Sequence, residues 1–211
     1  MKNVILKVKE IIKQNIINNK KEYILTALIF IIGIFLGVFF INNIQESQRT
    51  EISDYLKHFI EQMKNIEKLN SLSILKTSVI QNIILAVSLW FFGTTVIGIP
   101  IVLGIVLYRG FCFGYTIAVS VTILGITKGT IFSLVNFLLP SILLIPAMLA
   151  IAVSGMKLYR SITKDKRREN IKLEIFRHTI FSLVMLIFML VASVLEVSIS
   201  ANILKGIIKY F

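Results

Sequence analysis

The chain has 211 residues, 56% of them apolar, a mean hydropathy of +0.84 and a formal net charge of +12. Such a composition leaves too little polar sequence for a sizeable soluble domain and describes a single polytopic membrane domain. The basic residues flank apolar runs, the pattern of membrane topology and anionic-lipid contact rather than of nucleic-acid binding. The single cysteine, Cys112, excludes an intramolecular disulfide, and in its Phe-Cys-Phe setting it reads as a small buried hydrophobe.

Residues 1–22 place Val4, Ile5, Val8, Ile11, Ile12 and Ile16 within one arc of a helical wheel, with Lys2, Lys7, Lys13 and Lys20 outside it. This predicts an amphipathic helix in the cytoplasmic interface, held by lipid or docking a cytoplasmic partner. The run Tyr23 to Ile41 is long enough to span, and no small-residue cleavage pattern follows it, so it reads as an uncleaved anchor with the amino terminus inside. Gly33 and Gly37 give that span a face for close helix approach, either to a neighbouring span or to a second copy in a homo-oligomer.

Residues 43–77 form the long extracytoplasmic segment. Ile52, Tyr55, Leu56, Phe59, Ile60, Met63 and Ile66 recur in it at three-and-four spacing, which predicts an amphipathic helix. Its basic and acidic residues balance, as suits a translocated segment. The stripe has three places to rest: the bilayer surface, the chain's own bundle, or a partner protein. For a partner, the candidate binding residues are Tyr55, Leu56, Phe59, Ile60 and Met63.

From Leu85 to Gly155 the only charges are Arg109 and Lys128. Placing both at turns gives three crossings, at about 79 to 107, 111 to 126 and 130 to 155, since roughly 20 apolar residues cross a bilayer. On this division Pro100 falls inside a long span and predicts a kink near Gly98, or a broken helix lining a binding site. Gly110 and Gly114 offer a second close-approach face. Pro140 and Pro146 predict bends in the fourth span, where Asn136 either bonds a neighbouring helix or lines a polar path.

Residues 157–177 hold eight basic residues against Asp165, Glu169 and Glu174, which makes this the cytoplasmic loop, in contact with anionic lipid or a protein. His178 opens the last span at the membrane boundary. That span ends near Glu196, within a bundle domain of 23–200, and 201–211 is a short outer tail. The expected fold is therefore all-α and polytopic, with about five transmembrane helices, an N-terminal interfacial helix and an extracytoplasmic amphipathic helix.

The run Phe92-Gly93-x4-Gly98-Ile99-Pro100, then Arg109-Gly110-Phe111-x2-Gly114, and later Leu139-Pro140-x5-Pro146-Ala147 resembles the stage II sporulation protein M family. The opening span, with Gly33-x3-Gly37, is similar too. Where that family often carries a polar or acidic residue beside the Leu-Pro step, this chain has Leu138, Leu139, Ser141 and Ile142. The resemblance implies an integral membrane protein of endospore engulfment that anchors two cell-wall enzymes, stage II sporulation proteins D and P, at the septal or engulfing membrane.

No catalytic constellation accompanies these features: there is no HExxH, GxSxG or Walker-type loop, and His58 and His178 fall on opposite sides of the membrane in this topology. The expectation is a non-enzyme without cofactor or metal. Two functional classes fit. One is a membrane scaffold for peptidoglycan-degrading enzymes, favoured by the resemblance. The alternative is the membrane subunit of an ATPase-coupled transporter.

Overall fold

Apolar sequence in a bilayer has no water to satisfy its backbone, so each crossing must close its hydrogen bonds within a helix or a closed barrel. A computed structural model of the chain takes the first route. It describes residues 14, 16–64, 71–95, 97–164 and 171–207, which are helical except at short turns. The elements are α1 (Lys20–Asn42), α2 (Glu46–Lys64), α3 (Ser71–Gly93), α4 (Gly98–Leu124), α5 (Ile126–Ser133), a π turn (Leu134–Leu138), α6 (Leu139–Lys164) and α7 (Ile171–Ile207). Five of them, α1, α3, α4, α6 and α7, are long and apolar enough to cross a membrane. The chain is a multi-pass membrane protein. Most of the predicted interfacial helix, including Val4, Ile5, Val8, Ile11 and Ile12, lies outside the described residues.

Side chains such as Phe35, Phe39, Ile84, Ile142, Leu183 and Ile187 stand exposed around the bundle, where lipid tails would cover them. The core is Leu89, Val102, Val106, Met148, Ile151 and Met189, contributed by α3, α4, α6 and α7. α6 is the most enclosed span. Small residues on it (Ala147, Ala150, Ala152, Ser154, Gly155) allow its neighbours to close in.

The most extensive helix pair is α1 against α4, which run parallel although α2 and α3 separate them in sequence. The approach depends on four glycines. A Cβ on Gly33 would lie 2.9 Å from the Phe111 amide nitrogen, and one on Gly37 would lie 2.6 Å from that of Tyr115. From the other side, a Cβ on Gly110 would be 3.2 Å from the Gly33 Cα, and one on Gly114 would be 2.8 Å from the Ile34 Cα. The two GxxxG faces thus meet each other, backbone on backbone. A third close contact joins α3 to α6, where a Cβ on Gly155 would fall 2.8 Å from the Gly93 Cα.

The crossings differ in register from the sequence expectation. α3 ends at Gly93, a tight turn occupies 94–97, and α4 runs unbroken from Gly98 to Leu124 with Arg109 in its middle. Pro100 accordingly sits in the first turn of α4, where its missing N–H has no intrahelical partner to lose, and it does not kink a span. The fourth crossing also begins later. α5 and the π turn precede it, and Pro140 is the second residue of α6.

The π turn has a physical cause: Pro140 has no N–H for the Asn136 carbonyl, and its ring crowds that turn. The widened turn, closed by the Leu139 N–H donating to the Leu134 carbonyl, accommodates it. Ser141 Oγ donates to the Phe137 carbonyl at 2.5 Å, covering another acceptor of the same stretch. Pro146 lies inside α6, which stays helical on both sides of it. The last helix continues past Glu196 to Ile207.

Candidate functional site

α2 stands at the end of the bundle where α1 finishes and α3 begins. Its first turns are fixed by Ile52, which packs with Ile44 against a small core of Ile41, Ala118, Val119 and Phe132. Between α2 and the bundle runs a cleft of about 600 Å³. Tyr55 is at its rim, Tyr115, Val119 and Phe132 form its floor, and Glu51 is at its edge. Tyr55 itself is 76% exposed, so the apolar stripe of α2 divides: Ile52 turns inward while Tyr55 is open to an occupant. Asp54 and Lys57, 3.8 Å apart, lie exposed beside it, as do His58 and Glu61. The side chains of Leu56, Phe59, Ile60 and Met63 lie outside the described residues, as does that of Asn136.

The opposite end is basic and more tightly tied. Arg160 on α6 pairs with Glu22 on α1 and reaches the Asn19 side-chain oxygen at 3.4 Å. Buried Glu174 accepts from Arg177 at 2.5 Å and lies 4.0 Å from Lys157, so part of the charge in the basic loop is spent within the fold. His178, at the opening of the last span, is enclosed by its neighbours. It is 2% exposed, its Nδ1 is 2.9 Å from Ser154 Oγ, and its Nε2 is 3.4 Å from the Trp90 carbonyl. Trp90 in turn donates its indole N–H to Thr179 Oγ1 at 3.0 Å. These bonds lock α3, α6 and α7 together where Gly93 meets Gly155.

A second constellation was not legible as a unit in the sequence. Arg109 lies eleven residues into α4, ~16 Å along its axis, which is near the centre of a hydrocarbon core about 30 Å thick. It lines a half-open cavity of about 170 Å³ walled also by α3 and α6, with Glu196 of α7 in the wall. Ser78 donates to Glu196 Oε2 at 2.6 Å, and Asn82 donates to Ser193 Oγ at 2.8 Å one turn further in. Reading Arg109 as a turn residue hid it. The signal available was a helix-long spacing on both sides of it, together with a lone acid, Glu196, in the last apolar run.

No group of three or more His, Cys, Asp or Glu among the described residues is placed to hold a metal.

The family model for stage II sporulation protein M matches residues 26–201, from the first glycine-faced span to the last. The chain belongs to the stage II sporulation protein M family. It is thereby a sporulation-related membrane protein, and the matched region contains α2, the paired glycine faces and the Arg109–Glu196 cavity. Comparison with curated proteins and with solved structures finds no match.

Proposed function

We propose that the protein is a membrane scaffold that holds peptidoglycan-degrading enzymes at the engulfing membrane, its basic end in the cytoplasm and α2 outside. Three things support this. The family is one of sporulation. The charge asymmetry sets Arg160, Lys157 and Arg177 at one end of the bundle, the end that stays inside by the positive-inside rule. Finally, α2 presents a cleft with an exposed aromatic rim on the far side. The single observation that carries the reading is Tyr55: a large amphipathic ring left 76% exposed beside a 600 Å³ cleft is the kind of anchor on which protein interfaces concentrate their binding energy. By the family resemblance the partners are stage II sporulation proteins D and P.

The test is copurification from sporulating membranes. Tyr55→Ala combined with Phe59→Ala is expected to abolish recovery of the wall enzymes while the protein reaches the membrane at normal abundance. Full recovery with the double variant would place the contact elsewhere and sink this assignment of α2.

A further inference from the structure

Arg109 is a permanent cation in the middle of a membrane span, and a charge there persists only when something answers it. Among the described residues the ion pairs within 4.0 Å are Lys57–Asp54, Lys157–Glu174, Arg160–Glu22 and Arg177–Glu174. Arg109 is in none of them, and among the described residues it has no hydrogen-bond partner within 3.5 Å. Glu196 lines the same cavity from α7, engaged on one oxygen by Ser78. A guanidinium and a carboxylate thus flank one cavity without touching. If their purpose were only to neutralise each other, the bundle would gain by closing the gap, because a direct charge-assisted bond is strongest where water is scarce.

The rest of the wall fits an occupant that is polar at both ends. Gln81 and Asn82 come from α3, Thr116 from α4 and Ser141 from α6, while Phe30, Phe113 and Met148 supply apolar floor. A volume of about 170 Å³ holds about six waters at liquid density, or one solute the size of a small amino acid. The cavity also has a neighbour: Thr116 and Phe137 line both it and the cleft beneath α2. Phe137 belongs to the π turn, an irregularity that often marks functional positions. The boundary that the cleft and the charged cavity share is therefore one threonine and one ring.

We propose that this cavity binds a small zwitterion, reached from the α2 side, with its oxyanion held by Arg109 and its ammonium held by Glu196. That chemistry has two sources, a free amino acid or the phosphoethanolamine headgroup of a lipid. The site does not depend on α2 holding a wall enzyme.

Cys112 lines the cavity and is the chain's sole cysteine, so its alkylation reports occupancy without any substitution. The full-length protein is reconstituted in nanodiscs of phosphatidylglycerol alone, and its reaction with N-ethylmaleimide is followed with glycine, acetate or methylammonium present. Glycine at about ten times its Kd should slow alkylation about tenfold, the fraction of sites left open at that ratio. Acetate and methylammonium, each carrying one of the two charges, should protect far less. Protection by glycine identifies a soluble ligand, whereas protection only on adding phosphatidylethanolamine to the nanodiscs identifies a headgroup; either supports the site.

Arg109→Gln and Glu196→Gln should each remove the protection, measured for each variant as the ratio of its own alkylation rates with and without ligand. If these variants do not accumulate, Arg109→Lys and Glu196→Asp, which keep both charges, should retain protection with a weaker Kd. The proposal is overturned if neither zwitterion protects the wild type, if acetate alone protects as well as glycine, or if both glutamine variants remain fully protected.

Discussion

Glycine does two different jobs in this chain, and the structure separates them. At Gly33, Gly37, Gly110 and Gly114 an added methyl group meets the backbone of the facing helix, whereas at Gly104, on the same α4, nothing lies within 4 Å. Backbone cannot rotate away as a side chain can, so Gly114→Ala forces α1 and α4 apart, at a cost on the order of 1–3 kcal/mol for overpacking. Gly104→Ala should be neutral or slightly stabilising, because alanine is the better helix former. Thermal unfolding in detergent, followed through the fluorescence of Trp90, checks this pair. Equal midpoints for the two variants would mean that the glycine faces do not set the helix separation. These glycines were readable from their spacing alone, and Arg109 was not. A charge in an apolar run resembles a turn whenever the acid that shares its cavity, here Glu196, is almost ninety positions away.

For an element, the informative boundary is between α3 and α4. The local signals were present: Gly93 closes one helix, Thr94 and Thr95 turn back on the Phe91 and Phe92 carbonyls, and Pro100 sits in the first turn of the next. They were outweighed by the apolar sequence around them, in which Arg109 is the only charge between Leu85 and Leu124. The two divisions of the chain differ in a measurable way. With Cys112 replaced, a cysteine at Ile97, 83% exposed in the turn, should react with an impermeant maleimide from the basic side of the membrane. One at Tyr108, 64% exposed but mid-helix, should be covered by lipid and react from neither side. Rapid labelling at Tyr108 would restore a turn at Arg109. Span number survives this shift of register, because moving a hairpin along the chain changes where spans end without changing how many there are.

For the whole molecule, orientation follows from which end holds the positive charge, and moving Arg109 into the membrane leaves that balance intact. A cysteine at Glu61 on α2 should be labelled in intact cells, and one at Lys157 only after permeabilisation. The reverse result would invert the bundle and put α2 in the cytoplasm, away from any wall enzyme. Global architecture was legible because it rests on composition and periodicity, which sum over many residues. The cavity was not, because it depends on which faces of α3, α4, α6 and α7 turn toward one another, and a mean hydropathy does not record direction.

The pairing of α1 with α4 also has a timetable. Ribosomes deliver Gly33 and Gly37 to the membrane long before Gly110 and Gly114, with some seventy residues between the second and third of these glycines. At about 5–20 residues per second that interval lasts roughly 4–15 s. During it the first helix waits in lipid with its groove unfilled, open to any passing helix with a similar notch, including the first helix of another nascent copy. Correct assembly is therefore a race between synthesis and misassociation. Slowing translation between α1 and α4 should lower the yield of folded protein, even though every residue of the finished chain is unchanged.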